Sequence, residues 1–146
     1  MTALYTVINP IVRGLLKSPC HRLLSGNTML LRYRGRKSGR QYELPISYSR
    51  DSNRICGFAS RDSKWWRNLE SGADVGLRLA GRSITARARV ETADLAEIGT
   101  GLDRFLRAVP RDAGPAGVRL RADGTPEPAD VAAASAKLVA VYFEPC

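Results

Sequence analysis

A period of two governs residues 75–90. Val75, Leu77 and Leu79 are apolar, with Gly76 and Arg78 between them; beyond Gly81-Arg82, Ile84, Ala86, Ala88 and Val90 alternate with Thr85, Arg87 and Arg89. Successive side chains of a strand point to opposite faces, so this pattern predicts an antiparallel hairpin with one face on a core and the other in water. Strand signals flank it on both sides. Thr28 to Arg34 reads as a strand closed by the turn Gly35-Arg36-Lys37-Ser38-Gly39, and Gln41 to Ser49 runs back from it. Pro45 cannot donate to a ladder, which assigns that second strand to an edge or a bulge. Asp51-Ser52-Asn53 is a turn before a strand from Arg54 to Ala59, and the apolar run Lys137 to Glu144 is expected between other strands.

Helices complete the pattern. Ser63 is placed to cap a short helix through Leu69, stopped near Gly72. Thr92 starts a longer one, in which Leu95, Ile98, Leu102, Phe105, Leu106 and Val109 recur at helical spacing. Residues 110–130, rich in Pro, Gly and Asp, are expected to be a mobile loop. Residues 1–26 are expected to form a helical segment, with Pro10 suited to a first turn and Pro19 breaking it in two. Its cations Arg13, Lys17 and Arg22 could lie against a membrane surface, but its short apolar face favours the reading of a cap over one end of a barrel. The expectation is a single α+β domain over residues 1–146: a mostly antiparallel β-barrel of about six strands with flanking helices.

Composition narrows the function. With 146 residues, 44% of them apolar, the chain can bury one ordinary core. No apolar run approaches the roughly 20 residues that cross a bilayer, and Met1 to Pro10 lack a secretory pattern, so a cytoplasmic location is expected. Cys20, Cys56 and Cys146 are scattered and His21 is the sole histidine, too little for a metal site or a disulfide framework. Charge is uneven: residues 1–90 hold 17 Lys/Arg against 5 Asp/Glu, and the remainder 6 against 9. Such a field attracts an anion, whether nucleic acid, an acidic membrane or a phosphorylated cofactor.

Two segments carry the chemistry. Arg32 to Arg40 holds five cations in nine residues around the GRKSG turn. A Gly-bounded turn can direct backbone N–H groups at an anion, with Arg36 and Lys37 adding charge and Ser38 a hydroxyl. A solvated hairpin tip has the same composition. Ser60 to Leu69 places Trp65 and Trp66 among Arg61, Lys64 and Arg67. On a helix the two tryptophans lie about 100° apart, so one can be buried while the other flanks a pocket, and Trp65 shares a face with Asn68. An aromatic beside an amide and cations suits a planar anionic heterocycle; it also suits a core anchor with ordinary surface charges.

Together, in this order, these segments resemble the deazaflavin-dependent nitroreductases of actinobacteria: a strand, GRKSG, a strand with a central proline, Ala59-Ser60-Arg61, then Trp65-Trp66-Arg67-Asn68-Leu69. The resemblance covers roughly residues 9–91 and the final strand. It implies a split β-barrel, often dimeric, that binds coenzyme F420, a deazaflavin with a phosphate and a polyglutamate tail. It further implies that Arg36, Lys37 and Ser38 hold the tail and that Pro45 lies near the ring. Ser60 and Arg61 would then line the ring's polar edge, with Trp65 and Asn68 flanking it. The implied reaction is hydride transfer to a small-molecule acceptor, a quinone or nitro compound, with Ser60 or water supplying the proton. FMN is the alternative cofactor. A carrier that binds a lipid or cofactor without catalysis, and a basic nucleic-acid-binding barrel, are the rival readings; no RNA motif accompanies the aromatics, so no nucleic-acid partner is expected. Three positions depart from the family pattern: Arg61 stands where lysine is usual, the following loop is cut to Asp62-Ser63-Lys64, and Ser47 replaces a tyrosine. Tyr48, one place later, faces the other way and cannot inherit that role.

Overall fold

The computed structural model describes residues 27–146; the expected N-terminal helical segment, with Cys20 and His21, lies outside them. Seven strands are present: β1 (Thr28–Arg34), β2 (Gln41–Ser47), β3 (Ser49–Asp51), β4 (Arg54–Ser60), β5 (Ala73–Leu79), β6 (Arg82–Glu91) and β7 (Leu138–Pro145). They form one sheet in the order β2-β1-β5-β6-β7-β4-β3, antiparallel throughout. The two strands at the ends of this order, β2 and β3, are consecutive in the chain, separated only by Tyr48. The sheet therefore curls until its ends meet. Gly57 marks the meeting place, since a Cβ there would lie 3.2 Å from the Ser47 carbonyl oxygen.

The strand count differs from the expected six because Tyr48 interrupts what the sequence presents as one strand. Its N–H still donates to the Asn27 carbonyl at 2.9 Å, the next rung of the β1–β2 register, and from Ser49 on the chain pairs with β4 instead. Pro45 sits on β2 as its missing donor requires, opposite Leu30 and with no strand on its far side. The hairpin of β5 and β6 turns at Ala80 and Gly81, both at positive φ, and its alternation is kept, with Val75, Leu77, Leu79, Ala86 and Ala88 buried. β7 lies between β6 and β4 and is buried on both faces. Val139, Val141 and Phe143 point into the curl of the sheet, while Ala140 and Tyr142 face the helices.

Three helices are described. α1 (Leu95–Ala108) starts later than expected, because the Asp94 carboxylate accepts from the Glu97 N–H and caps it. Ile98, Leu102, Phe105 and Leu106 are its buried face, as the spacing predicts, whereas Leu95 at the same spacing is exposed in the first turn. Residues 110–130 are not the featureless loop that their composition suggests. They hold a 3-10 turn (Pro110–Asp112), α2 (Ala113–Ala116) and the start of α3 (Pro128–Ser135). Val118 and Val131 bury against the α1 face, and Arg119 bonds the Asp130 carboxylate from Nε at 2.8 Å and Nη2 at 3.2 Å. The result is two hydrophobic layers, one inside the curled sheet and one between its β4–β7 face and the helices.

Candidate functional site

The GRKSG turn is built by close packing. A Cβ on Gly35 would meet Ser38 Oγ at 2.8 Å, and Gly39 has φ +70°, so each glycine meets a separate need. Gly39 N–H donates to Gly35 O and Arg40 N–H to Ser38 Oγ, closing a single tight turn with exposed tips at Arg36, Lys37 and Ser38. Among the described residues, the N–H groups of Lys37 and Ser38 have no acceptor. That of Arg36 is not available to a ligand, because Asn68 Oδ1 accepts it at 2.9 Å. Asn68 in turn donates from Nδ2 to the Trp65 carbonyl at 3.0 Å. Asn68 is thus a strut between the cationic turn and the aromatic segment, a role that its position beside Trp65 does not announce.

The aromatic segment is a 3-10 turn, Trp65–Leu69, without side-chain capping. Ser63 does not cap it; its hydroxyl donates to the Ser60 carbonyl at 2.7 Å. The Ser63 N–H and Trp66 Nε1 reach the same oxygen, so three donors fix the Ser60–Trp66 loop. Both tryptophans are largely buried, and Trp65 also lines a cleft. Trp66 carries the Arg67 guanidinium over its ring at 4.8 Å, and Trp65 packs against Tyr33 with centroids 6.4 Å apart.

Two clefts open on either side of this loop. The first, about 630 Å³, is lined by Gly35, Arg36, Lys37, Ser38, Tyr42, Arg61, Asp62, Lys64, Arg67 and Asn68. Five of these are cations and one is a carboxylate. Arg61 is held to the link between β6 and α1 by a 2.6 Å bond from Nη2 to the Thr92 carbonyl, while its buried Nε has no partner among the described residues. The second cleft, about 400 Å³, is apolar. Pro45, Ser60 and Trp65 line one side of it, and Leu102, Phe105, Leu106, Asp112, Pro115 and Ala116 line another. The eight residues singled out from sequence therefore divide. Arg36, Lys37, Ser38, Arg61 and Asn68 gather in the cationic cleft, and Pro45, Ser60 and Trp65 in the apolar one. Lys64, Arg67 and Tyr42 join the first without having been singled out, though Lys64 and Arg67 lie in a segment already notable for its charge.

Elsewhere the titratable groups are built into structure. Burial pushes the Cys56 thiol up to about 12, against a smaller opposing pull from Arg54, so it is no nucleophile at neutral pH. Tyr142 is raised by the same burial; its hydroxyl donates to Glu97 at 3.1 Å, and Arg54 and Arg89 lie against its ring. Among the described residues no three His, Cys, Asp or Glu side chains cluster as metal ligands would.

Comparison with known proteins bears on this arrangement. Residues 11–111 match the family described as F420H(2)-dependent quinone reductase. Rv3178 of Mycobacterium tuberculosis (strain ATCC 25618 / H37Rv), named as a candidate F420H(2)-dependent quinone reductase, is 32% identical over 72 residues, which are 46% of this chain and 60% of that protein. A solved F420 reductase superposes with a TM-score of 0.51 at 16% identity, covering 86% of this chain and 92% of its own. The F420-H2 dependent reductase FDR-A gives 0.52 at 15% identity, covering 81% and 94%. At such identities the two structures share the fold.

Proposed function

Because the chain belongs to the F420H(2)-dependent quinone reductase family, we propose that it is a reductase that takes a hydride from reduced F420 and delivers it to a small electron-poor acceptor, a quinone or a nitro compound. On this reading the curled sheet is the split β-barrel of such enzymes. The observation that carries the proposal is the division of the site. The residues expected to hold an anionic tail lie in a cleft with five cations and one carboxylate, and those expected beside a ring lie in an apolar cleft. Both clefts share the loop from Ser60 to Trp65.

The donor set fits the cofactor. A phosphate and a chain of carboxylates need cations and N–H donors, which Arg36, Lys37, Ser38 and Arg61 would supply, with Lys64 and Arg67 beside them. Asn68 would act through the turn that it braces, by keeping Lys37 and Ser38 in place. Pro45 and Trp65 would give the ring an apolar wall and exclude water. When bound, the reduced deazaflavin supplies the hydride, and a quinone then needs one further proton to become a hydroquinone. Ser60 is exposed at the edge of the apolar cleft and is the hydroxyl best placed to pass that proton from water.

FMN offers one phosphate where F420 offers a phosphate and several carboxylates, so the cationic cleft favours F420. Fluorescence titration of the purified protein with F420 and with FMN tests this. Tighter binding of F420 is expected. Equal or tighter binding of FMN would remove the preference. Nanomolar RNA or DNA binding that falls by about 10³–10⁵ between 50 and 200 mM salt would replace the reading with a nucleic-acid one.

A further inference from the structure

The apolar cleft has two kinds of wall. Pro45, Ser60 and Trp65 come from β2, the end of β4 and the aromatic turn, next to the cationic cleft. The facing wall comes from α1 and from residues 112–116. Nearly everything on it is hydrocarbon: Leu102, Phe105, Leu106, Pro115 and Ala116. The exception is Asp112. It is the sole ionisable side chain lining this cleft among the described residues, whose other polar members are Ser47, Ser60 and Ser63. No cation lines the cleft to balance it. The nearest, Arg111, stands 3.7 Å from Asp112 Oδ1, but its guanidinium is half exposed and donates to the Thr28 hydroxyl at 2.8 Å, on β1. The Asp112 backbone N–H is committed to the Val109 carbonyl at 3.1 Å, and this fixes the 3-10 turn that carries the side chain.

Resting on the reductase reading, we propose that the α1-side wall receives the electron acceptor and that Asp112 sets its charge selectivity: the cleft takes neutral, lipophilic ring acceptors and rejects anionic ones. The two neighbouring clefts differ in charge. An anionic acceptor would be drawn to the five cations of the first cleft, where it would compete with the cofactor's tail. A single carboxylate in an apolar wall repels it from the second, because a like charge within several ångströms in a partly desolvated site weakens binding about tenfold or more. A neutral acceptor meets neither effect. Hydrophobic surface alone discriminates poorly between a neutral ring and the same ring carrying one charged group at its solvent edge, so the carboxylate supplies the discrimination that the hydrocarbon cannot.

The test is equilibrium binding of two acceptors of similar ring size, menadione and 1,4-naphthoquinone-2-sulfonate, followed by quenching of tryptophan fluorescence. It compares the whole unsubstituted chain with Asp112→Asn and Asp112→Glu, without cofactor and in saturating inorganic pyrophosphate, which occupies the cationic cleft in place of the cofactor's tail. The expected result is that Asp112→Asn tightens sulfonate binding about tenfold while menadione changes less than twofold, and that Asp112→Glu keeps the original ratio. An unchanged ratio in Asp112→Asn overturns the proposal, as does a failure of the unsubstituted chain to bind menadione. Oxidation of reduced F420 is measured separately with menadione. If both quinones bind with the expected ratio but no oxidation occurs, the reductase reading fails and the selectivity of the cleft stands.

Discussion

Asn68 offers the sharpest structural prediction, because both ends of its amide are used. Asn68→Ala removes the 2.9 Å bond to the Arg36 N–H and the 3.0 Å bond to the Trp65 carbonyl. Each such bond contributes about 0.5–1.5 kcal/mol net. The Arg36 N–H is exposed and regains water, so the total loss is expected near 1–2 kcal/mol. For a domain of this size that is a fall of roughly 3–8 °C in melting temperature. The effect on binding follows from ordering. Without the strut, Lys37 and Ser38 must be fixed when the cofactor arrives, at about 1–2 kcal/mol per backbone residue. F420 affinity should therefore drop about tenfold or more, although Asn68 need not touch the cofactor. Asn68→Asp keeps an acceptor for Arg36 but loses the donor to Trp65 and puts a negative charge in the cationic cleft. It should lose more affinity than the alanine variant at comparable stability. Melting curves and F420 titration measure both. An alanine variant with unchanged melting temperature and unchanged affinity would refute the strut, and the turn would then hold its shape through its glycines alone.

Lys37→Ala removes a charge from an exposed tip, so F420 affinity should fall about tenfold to a hundredfold with little change in apo melting temperature; normal affinity would return the turn to a solvated hairpin tip. Trp65→Ala empties a buried site against Tyr33 and should cost about 3–5 kcal/mol of apo stability, read by denaturant unfolding, as well as affinity. Loss of stability with full affinity would make Trp65 a core residue only. Cys56 gives a pH signature. Its folded value, raised to about 12 from an ordinary 9, means that the unfolded chain loses this proton first. The resulting stability is complete below about pH 9 and is lost as pH rises toward 12, with a slope of up to about 1.4 kcal/mol per pH unit. Cys56→Ala should flatten that part of the stability–pH curve, and an unaltered slope would contradict the burial effect.

The strands were legible because their alternation is local and strict. Of the residues of β5 and β6 that the period places inward, Val75, Leu77, Leu79, Ala86 and Ala88 are buried and Ile84 and Val90 partly so, and Pro45 marks an edge. What was not legible depends on distant partners. Nothing near Tyr48 predicts that the chain will leave β1 there and pair with β4 from Ser49 on, since the cause is the curling of the whole sheet. The Pro- and Gly-rich stretch from 110 to 130 reads as loop by propensity. It holds short helical turns because Val118 and Val131 find the apolar face of α1, and because Arg119 finds Asp130. The site divides in the same way. Its cationic half was legible, being two contiguous runs with unusual charge and aromatic content. The far wall of the apolar cleft was not: Leu102, Phe105 and Leu106 show only a helix face that needs covering, and the spacing cannot say that part of this face borders a cleft beside Ser60. Asn68 shares the cationic cleft with Arg36, but the bond between them spans 32 residues and has no local signal.

Hydride transfer from reduced F420 to a quinone is measured by mixing purified protein with reduced F420 and menadione without oxygen and following the return of the oxidised deazaflavin's absorbance. The account predicts protein-dependent oxidation, with one hydroquinone formed per F420 oxidised, that slows in Lys37→Ala through weaker cofactor binding. Oxidation no faster than in protein-free solution, at cofactor concentrations that saturate the protein, would contradict it and leave the barrel as a carrier.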